Sequence, residues 1–244
     1  MSNYDKIRRA KYFYKIIFLK CLYATRNIKI RSDKNMFKKF VKTNKKLEKP
    51  YVILSSYGSV VDPMIMQRNL HYRPIYHVFN SNNGSKKYPI LQHIGRRFFN
   101  LDYNKVIKAI KIALNKKINV EKYPSFDGTT SPISKRIIDI LKEVDKPVKV
   151  CINHGTYNYE PMWRKSAKSG VVISEMKDLF SLEDLYNLDD DTLYNRLVEA
   201  MEYNECAWAK KADMAYADKE RCVGVESVLY KCPACLEENK MLSK

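Results

Sequence analysis

Long apolar runs are missing from this 244-residue chain. No segment approaches the ~18–20 uncharged apolar residues that a membrane-spanning helix needs, which excludes that architecture. Internal repeats and low-complexity tracts are absent too, which argues against a repeat protein. Acidic residues are in short supply: 27 Asp+Glu face 45 Lys+Arg, a net charge of +18. An excess of that size draws anionic surfaces, nucleic acid or lipid, by long-range electrostatics. The lysines are nevertheless spread along the whole chain, as a lysine-rich genome would spread them. No recognised nucleic-acid-binding motif accompanies them, so no specific nucleic-acid partner is expected. Of six cysteines only Cys232 and Cys235 have a recognisable spacing, and no cleavable signal peptide precedes them. Those features predict a reduced, cytosolic setting.

What is present suits one main domain with small additions at either end, given that single cores saturate at about 250–300 residues. Residues 1–48 read as N-terminal helices, 49–212 as the main domain and 213–244 as a linker and tail. Between Tyr4 and Asn27, Ile7, Phe13, Ile16, Ile17, Phe18, Leu19 and Leu22 alternate with Lys6, Arg8, Arg9, Lys11, Lys15 and Lys20. That pattern predicts a basic amphipathic helix, which can lie against an anionic membrane surface or pack on its own domain. A second basic stretch, Asp33 to Leu47, follows, with Ser32 or Asp33 placed to cap it and Pro50 to close it.

From Tyr51 onward short apolar runs alternate with helical periodicity. Tyr51–Ser55, Pro74–Phe79, Ile118–Tyr123, Val148–Ile152 and Val171–Ser174 read as strands. Val106, Ile110, Ala113 and Leu114 form the apolar face of one intervening helix. Leu182–Leu188 and Asp191–Tyr203 read as two more, the second introduced by Asp189, Asp190 and Asp191, whose charge suits the positive end of a helix. Strands alternating with helices predict an α/β domain with a largely parallel central sheet flanked by helices, preceded by the basic amphipathic segment.

Several motifs, in order, resemble those of the phospholipid/glycerol acyltransferases. Val52 to Pro63, ending in Ser56-Tyr57-Gly58-Ser59-Val60-Val61-Asp62-Pro63, resembles the first block of 1-acylglycerol-3-phosphate O-acyltransferases, where a strand leads into Asn-His-x4-Asp. Ile94 to Asp102, with Arg96 and Arg97, resembles the second. Tyr123-Pro124-Ser125-Phe126-Asp127-Gly128 resembles the third, normally Phe-Pro-Glu-Gly, and Pro147-Val148 occupies the place of the fourth. Gly155-Thr156-Tyr157, Pro161-Met162-Trp163, Glu205-Cys206-Ala207-Trp208 and Gly224 to Pro233 are similar to stretches of a bacterial branch that ends in a zinc ribbon. The resemblance runs from about Tyr51 to Cys235. It implies acyl transfer from acyl-CoA or acyl carrier protein to 1-acylglycerol-3-phosphate, with no cofactor required. It also implies a cytoplasmic location, peripheral to the inner face of a membrane. Asp62 and Tyr57 would stand at the catalytic positions, and Arg96, Arg97, Ser59 and Gly128 around the substrate phosphate.

Two departures from the family pattern predict impaired or lost catalysis. Attack by a glycerol hydroxyl on a thioester needs a base, which the family's histidine supplies while the aspartate orients it. Asp62 is present, but Tyr57 stands in place of the histidine, and a phenol of pKa ~10 is a poor base at neutral pH. The third block also lacks its Glu-Gly and arginine. Loss of a general base alone costs about 10²–10⁴ in rate. His154, in Asn153-His154-Gly155, lacks a carboxylate at the right spacing and reads as structural, and His71, His77 and His93 belong to no constellation. The alternative to an acyltransferase is a non-catalytic protein, a pseudoenzyme that binds lysophospholipid or an anionic membrane. In the tail, Cys232-Pro233-Ala234-Cys235 supplies two of the four ligands tetrahedral zinc requires. The pattern reads as a truncated ribbon, either completed by a second chain or left as a free thiol pair.

Overall fold

The structure, a computed structural model, describes residues 17, 28–32, 51–56, 58–59, 61–69, 75–80, 97–99, 117–121, 127–161, 163–164, 170–214, 216, 220 and 222–242, with 28–32, 75–80, 97–99 and 117–121 given by their backbone alone. Its centre is a sheet of seven strands: β1 (Ile28–Ser32), β2 (Val52–Ser55), β3 (Ile75–Asn80), β4 (Arg97–Phe99), β5 (Lys117–Glu121), β6 (Val148–His154) and β7 (Gly170–Phe180). Their order across the sheet is β1-β7-β6-β2-β5-β3-β4. Every neighbouring pair is parallel except β6 with β7, which run antiparallel with an irregularity at Val148/Lys149. The α/β fold and the largely parallel sheet expected from the sequence are both present.

The helices among the described residues are α1 (Asp62–Asn69), α2 (Arg136–Val144), α3 (Thr156–Tyr159), α4 (Leu182–Asn187), α5 (Asp190–Met201) and α6 (Glu205–Lys211). Short polar caps set their boundaries. Ser181 and Asp184 form a reciprocal capping box at α4. Asp189 accepts the Thr192 N–H at 2.9 Å to start α5, and Asn204 accepts the Ala207 N–H at 2.9 Å to start α6. At the far end of α2, Asp145 adopts a left-handed conformation (φ 51°) and returns its N–H to Leu141, and Pro147 then prevents the helix from continuing.

β2 is buried on both faces, which is why it reads as a continuous apolar run. Val52 and Leu54, with Val148 and Val150 of β6, pack under Ile138, Leu141 and Val144 of α2, Leu185 of α4 and Leu193, Leu197 and Met201 of α5. Tyr51 and Ile53 point to the other face, with Met66 of α1, Cys151 and Met176. Val61, Ile65, Tyr159 and Val172 extend that second layer.

β1 comes from the N-terminal part of the chain yet pairs with β7 along its length, so the sheet takes in residues before position 49. Of the amphipathic segment before it, only Ile17 is described; it is helical and exposed. The second basic stretch and the helix around Val106 and Ile110 lie outside the described residues. No helix among the described residues is long and apolar enough to cross a membrane.

Candidate functional site

Ser55 at the end of β2 is level with Glu121 of β5 and Cys151 of β6. The carboxyl ends of β2 and β5 therefore lie at one edge of the sheet, with parallel β6 running three residues further, and it is at such edges that open α/β sheets hold ligands. The turn after β2 is built on Asp62, the first residue of α1. Its carboxylate is wholly buried and folds back on the chain: Oδ2 accepts the N–H groups of Gly58 (3.1 Å) and Ser59 (2.8 Å). Oδ1 accepts the side-chain amide of Asn153, from the end of β6, at 2.8 Å. Asn153 is itself fixed, because its Oδ1 accepts the Ser174 hydroxyl of β7 at 2.7 Å. Its backbone N–H goes to the Ser56 hydroxyl (3.0 Å), while the Ser56 N–H goes to the Cys151 carbonyl (3.0 Å). Both ends of the turn are thus tied to β6, by a part-buried hydrogen bond at Ser56 and a buried one at Asp62, where such bonds are harder to replace.

A second buried carboxylate joins the neighbouring loops. Glu205, the first residue of α6, accepts the Gly155 N–H at 2.9 Å, the Asn158 side-chain amide at 3.0 Å and the Tyr203 hydroxyl at 2.6 Å. Its own N–H donates to the Gly128 carbonyl at 2.8 Å. Burial pushes the Glu205 carboxyl above its usual range, against the pull of those hydrogen bonds, and burial beside Glu205 also pushes the Tyr203 phenol upward. Gly128 sits in a left-handed turn (φ 81°), and a Cβ there would lie 2.9 Å from the Cβ of Glu205, so glycine is required twice over. The two networks touch at Gly58, where a Cβ would lie 2.8 Å from the Thr156 hydroxyl.

His154 lies one residue beyond Asn153 and so faces the other side of the sheet. Its ring stacks on Trp208 (5.0 Å between centroids) and meets the edge of Tyr203 (4.9 Å). Neither ring nitrogen has a hydrogen-bond partner among the described residues. The nearest charge is Glu175, 3.6 Å from Nε2, beyond hydrogen-bond reach. Burial therefore pushes the imidazole below its ordinary range, although Glu175 opposes the shift. It is a packed side chain, as its sequence context suggested, and it faces away from Asp62.

Of the sequence-derived site residues, Asp62, Ser59 and Gly128 fall in this region. Ser59 is buried, its N–H on Asp62. Tyr57, Arg96, His71 and His93 lie outside the described residues, as does Tyr123 of the third block. His77 lies in β3. Arg97 opens β4 in a ladder row shared with Val78, Val120 and Leu54, three strand spacings or ~14 Å from β2. Asn153, Ser174 and Glu205 had no role in the reading from sequence alone. Glu205 stood inside a quoted motif, whereas nothing local marks Asn153 as the partner of a residue 91 positions earlier.

The tail forms a tight hairpin from Tyr230 to Asn239, closed by Asn239 N–H to Tyr230 carbonyl (2.6 Å) and Cys232 N–H to Glu237 carbonyl (2.9 Å). The backbone N–H groups of Cys235 and Ala234 point at the Cys232 sulfur and pull its thiol below the usual range. No group of three or more potential metal ligands occurs among the described residues. The pair alone does not make a complete tetrahedral zinc site.

No protein-family model matches the chain, and no curated protein matches it. Among solved structures it is similar to the 1-acyl-sn-glycerophosphate (LPA) acyltransferase, PlsC, from Thermotoga maritima, with a TM-score of 0.59 and 13% sequence identity over 89% of this chain and 86% of that one. At such low identity the likeness is one of fold. The chain has an acyltransferase-like α/β fold.

Proposed function

We propose that this chain handles 1-acylglycerol-3-phosphate at the sheet edge built around Asp62, with acyl transfer from acyl-CoA or acyl carrier protein reduced or lost. The observation that carries this reading is the buried Asp62 turn, held at the ligand-binding edge of an acyltransferase-like sheet. It is supported by the run of motifs from Tyr51 to Cys235. Tyrosine at position 57 and the shortened third block remove the base and the substrate carboxylate, so the chemistry would suffer more than the binding. A base with nothing else changed would not restore it, and Tyr57→His alone is expected to leave turnover low.

A second reading, a non-catalytic binder of lysophospholipid or an anionic membrane, is favoured by the same Asp62 geometry. Three N–H donors already engage a carboxylate that would otherwise orient a histidine. Purified protein with lysophosphatidate and acyl-CoA, beside a catalytically complete relative, separates the two. Slow thioester-dependent phosphatidate formation, reduced further in Asp62→Asn, supports the first. Saturable lysophosphatidate binding without product supports the second, and absence of both sinks the proposal. Zinc remains a proposal for Cys232 and Cys235 only with two ligands from elsewhere.

A further inference from the structure

We infer that Asn153 is a positioning residue: its amide, oriented by Ser174, sets the direction of the Asp62 carboxylate and holds the Gly58–Ser59 turn closed over the edge of β2. The inference rests on the reading of this turn as part of the lysophospholipid site, and it adds to that site a residue from another strand.

An asparagine amide can flip end for end, but here only one orientation works. Oδ1 accepts from the Ser174 hydroxyl, which turns Nδ2 toward Asp62 Oδ1; a flipped amide would set oxygen against carboxylate. Asp62, Asn153 and Ser174 are each at most 1% exposed, so water does not stand in for a lost partner. The opposite oxygen of Asp62 is then aimed at the Gly58 and Ser59 N–H groups. Rotation of the carboxylate would release both. β6 thus governs the turn through a side chain as well as through the Ser56 bonds to its backbone.

Donor and acceptor in this pair can be exchanged. In Asn153→Asp two carboxylates face each other, and the turn should open. In the double variant Asp62→Asn/Asn153→Asp, the new amide at 62 can accept both backbone N–H groups on its oxygen and donate to the new carboxylate at 153. That carboxylate still accepts from Ser174, so these four hydrogen bonds are kept with the polarity reversed at one link.

Amide hydrogen exchange of Gly58 and Ser59 in the full chain, without ligand, reads the turn directly. Asn153→Asp should speed exchange of these two amides about tenfold or more while leaving α2 and α5 unchanged, and the double variant should return it close to wild type. Asn153→Leu, which fills similar space without a donor, gives the same acceleration and serves where Asn153→Asp does not fold. A purely space-filling role predicts slow exchange in Asn153→Leu and no rescue in the double variant; either result overturns the inference. Lysophosphatidate binding measured on the same proteins tests the functional reading separately. It should fall in Asn153→Asp and recover in the double variant, whereas phosphatidate formation should not recover, because the carboxylate has left position 62. If wild type binds no lysophosphatidate, the functional reading fails and the exchange data still decide the role of Asn153.

Discussion

Glu205 and Asp62 are both buried carboxylates, yet their surroundings ask different things of a substitution. Glu205 accepts from four donors, the Gly155 N–H, the Asn158 N–H and side-chain amide, and the Tyr203 hydroxyl, so Glu205→Ala leaves all four short of an acceptor. Each unsatisfied buried donor costs about 1–3 kcal/mol, so a loss of at least ~3 kcal/mol is expected. Glu205→Gln keeps the shape and one acceptor oxygen but turns an NH2 group toward the donors on the other side, so it should cost less than Glu205→Ala yet still about 1–3 kcal/mol. Urea denaturation of the two variants checks the order. His154 makes a pH-dependent contribution of known sign. Its folded pKa is depressed by burial, so the unfolded chain binds the proton more readily, and stability is lost as pH falls through the ordinary histidine range near 6.5. His154→Phe keeps the stack on Trp208 without a titrating group. Thermal melting between about pH 7 and 5.5 should fall in wild type and be flatter in His154→Phe.

At the scale of elements, burial outweighs surface charge. Leu141 of α2 lies in the main core against β2 and β6, and Leu141→Ala should cost about 2–5 kcal/mol. The Lys135–Asp191 and Lys142–Asp190 pairs that join α2 to α5 should contribute far less, because solvent screens them. Ser181→Ala removes one half of the capping box of α4 and should cost roughly 1 kcal/mol. Denaturant midpoints rank the three. The same balance explains what could be read in advance. Val52–Ser55 and the expected Val148–Ile152 are short, largely apolar runs at the centre of the sheet, and their sequence shows it. α4 and α5 announce themselves by caps. β7 extends six residues past the expected Val171–Ser174 because Glu175, Lys177 and Asp178 break the apolar pattern while the strand still pairs with β6. β1 carries only the brief alternation Ile28-Lys29-Ile30-Arg31, too short to stand out between two basic helical patterns, and its pairing with β7 is set by residues some 140 positions away. The candidate site divides in the same way. Asp62 follows its strand at a motif spacing and is legible, whereas Asn153 and Ser174 acquire meaning only when β6 and β7 are laid beside β2.

For the whole molecule the governing quantity is a net charge of +18. Anionic lipid and nucleic acid would both feel it, but they respond differently to salt and to composition. Nucleic-acid binding by scattered lysines, without base-reading elements, collapses steeply as counterions compete, and should be undetectable at about 150 mM salt. A membrane offers a second term. Basic residues near an anionic surface contribute about 1 kcal/mol each, and an apolar helix face such as the one the sequence predicts for residues 4–27 adds burial that salt does not weaken. Binding to vesicles containing phosphatidylserine is therefore expected to persist at that ionic strength and to vanish on neutral phosphatidylcholine vesicles. Removing residues 1–27, which spares every described strand, separates that segment from the general charge. If the truncated chain sediments with anionic vesicles as well as the full one, attraction is spread over the domain. If it stays in solution, the segment is the anchor, and it would bring a site at the β2 edge to the lipid surface.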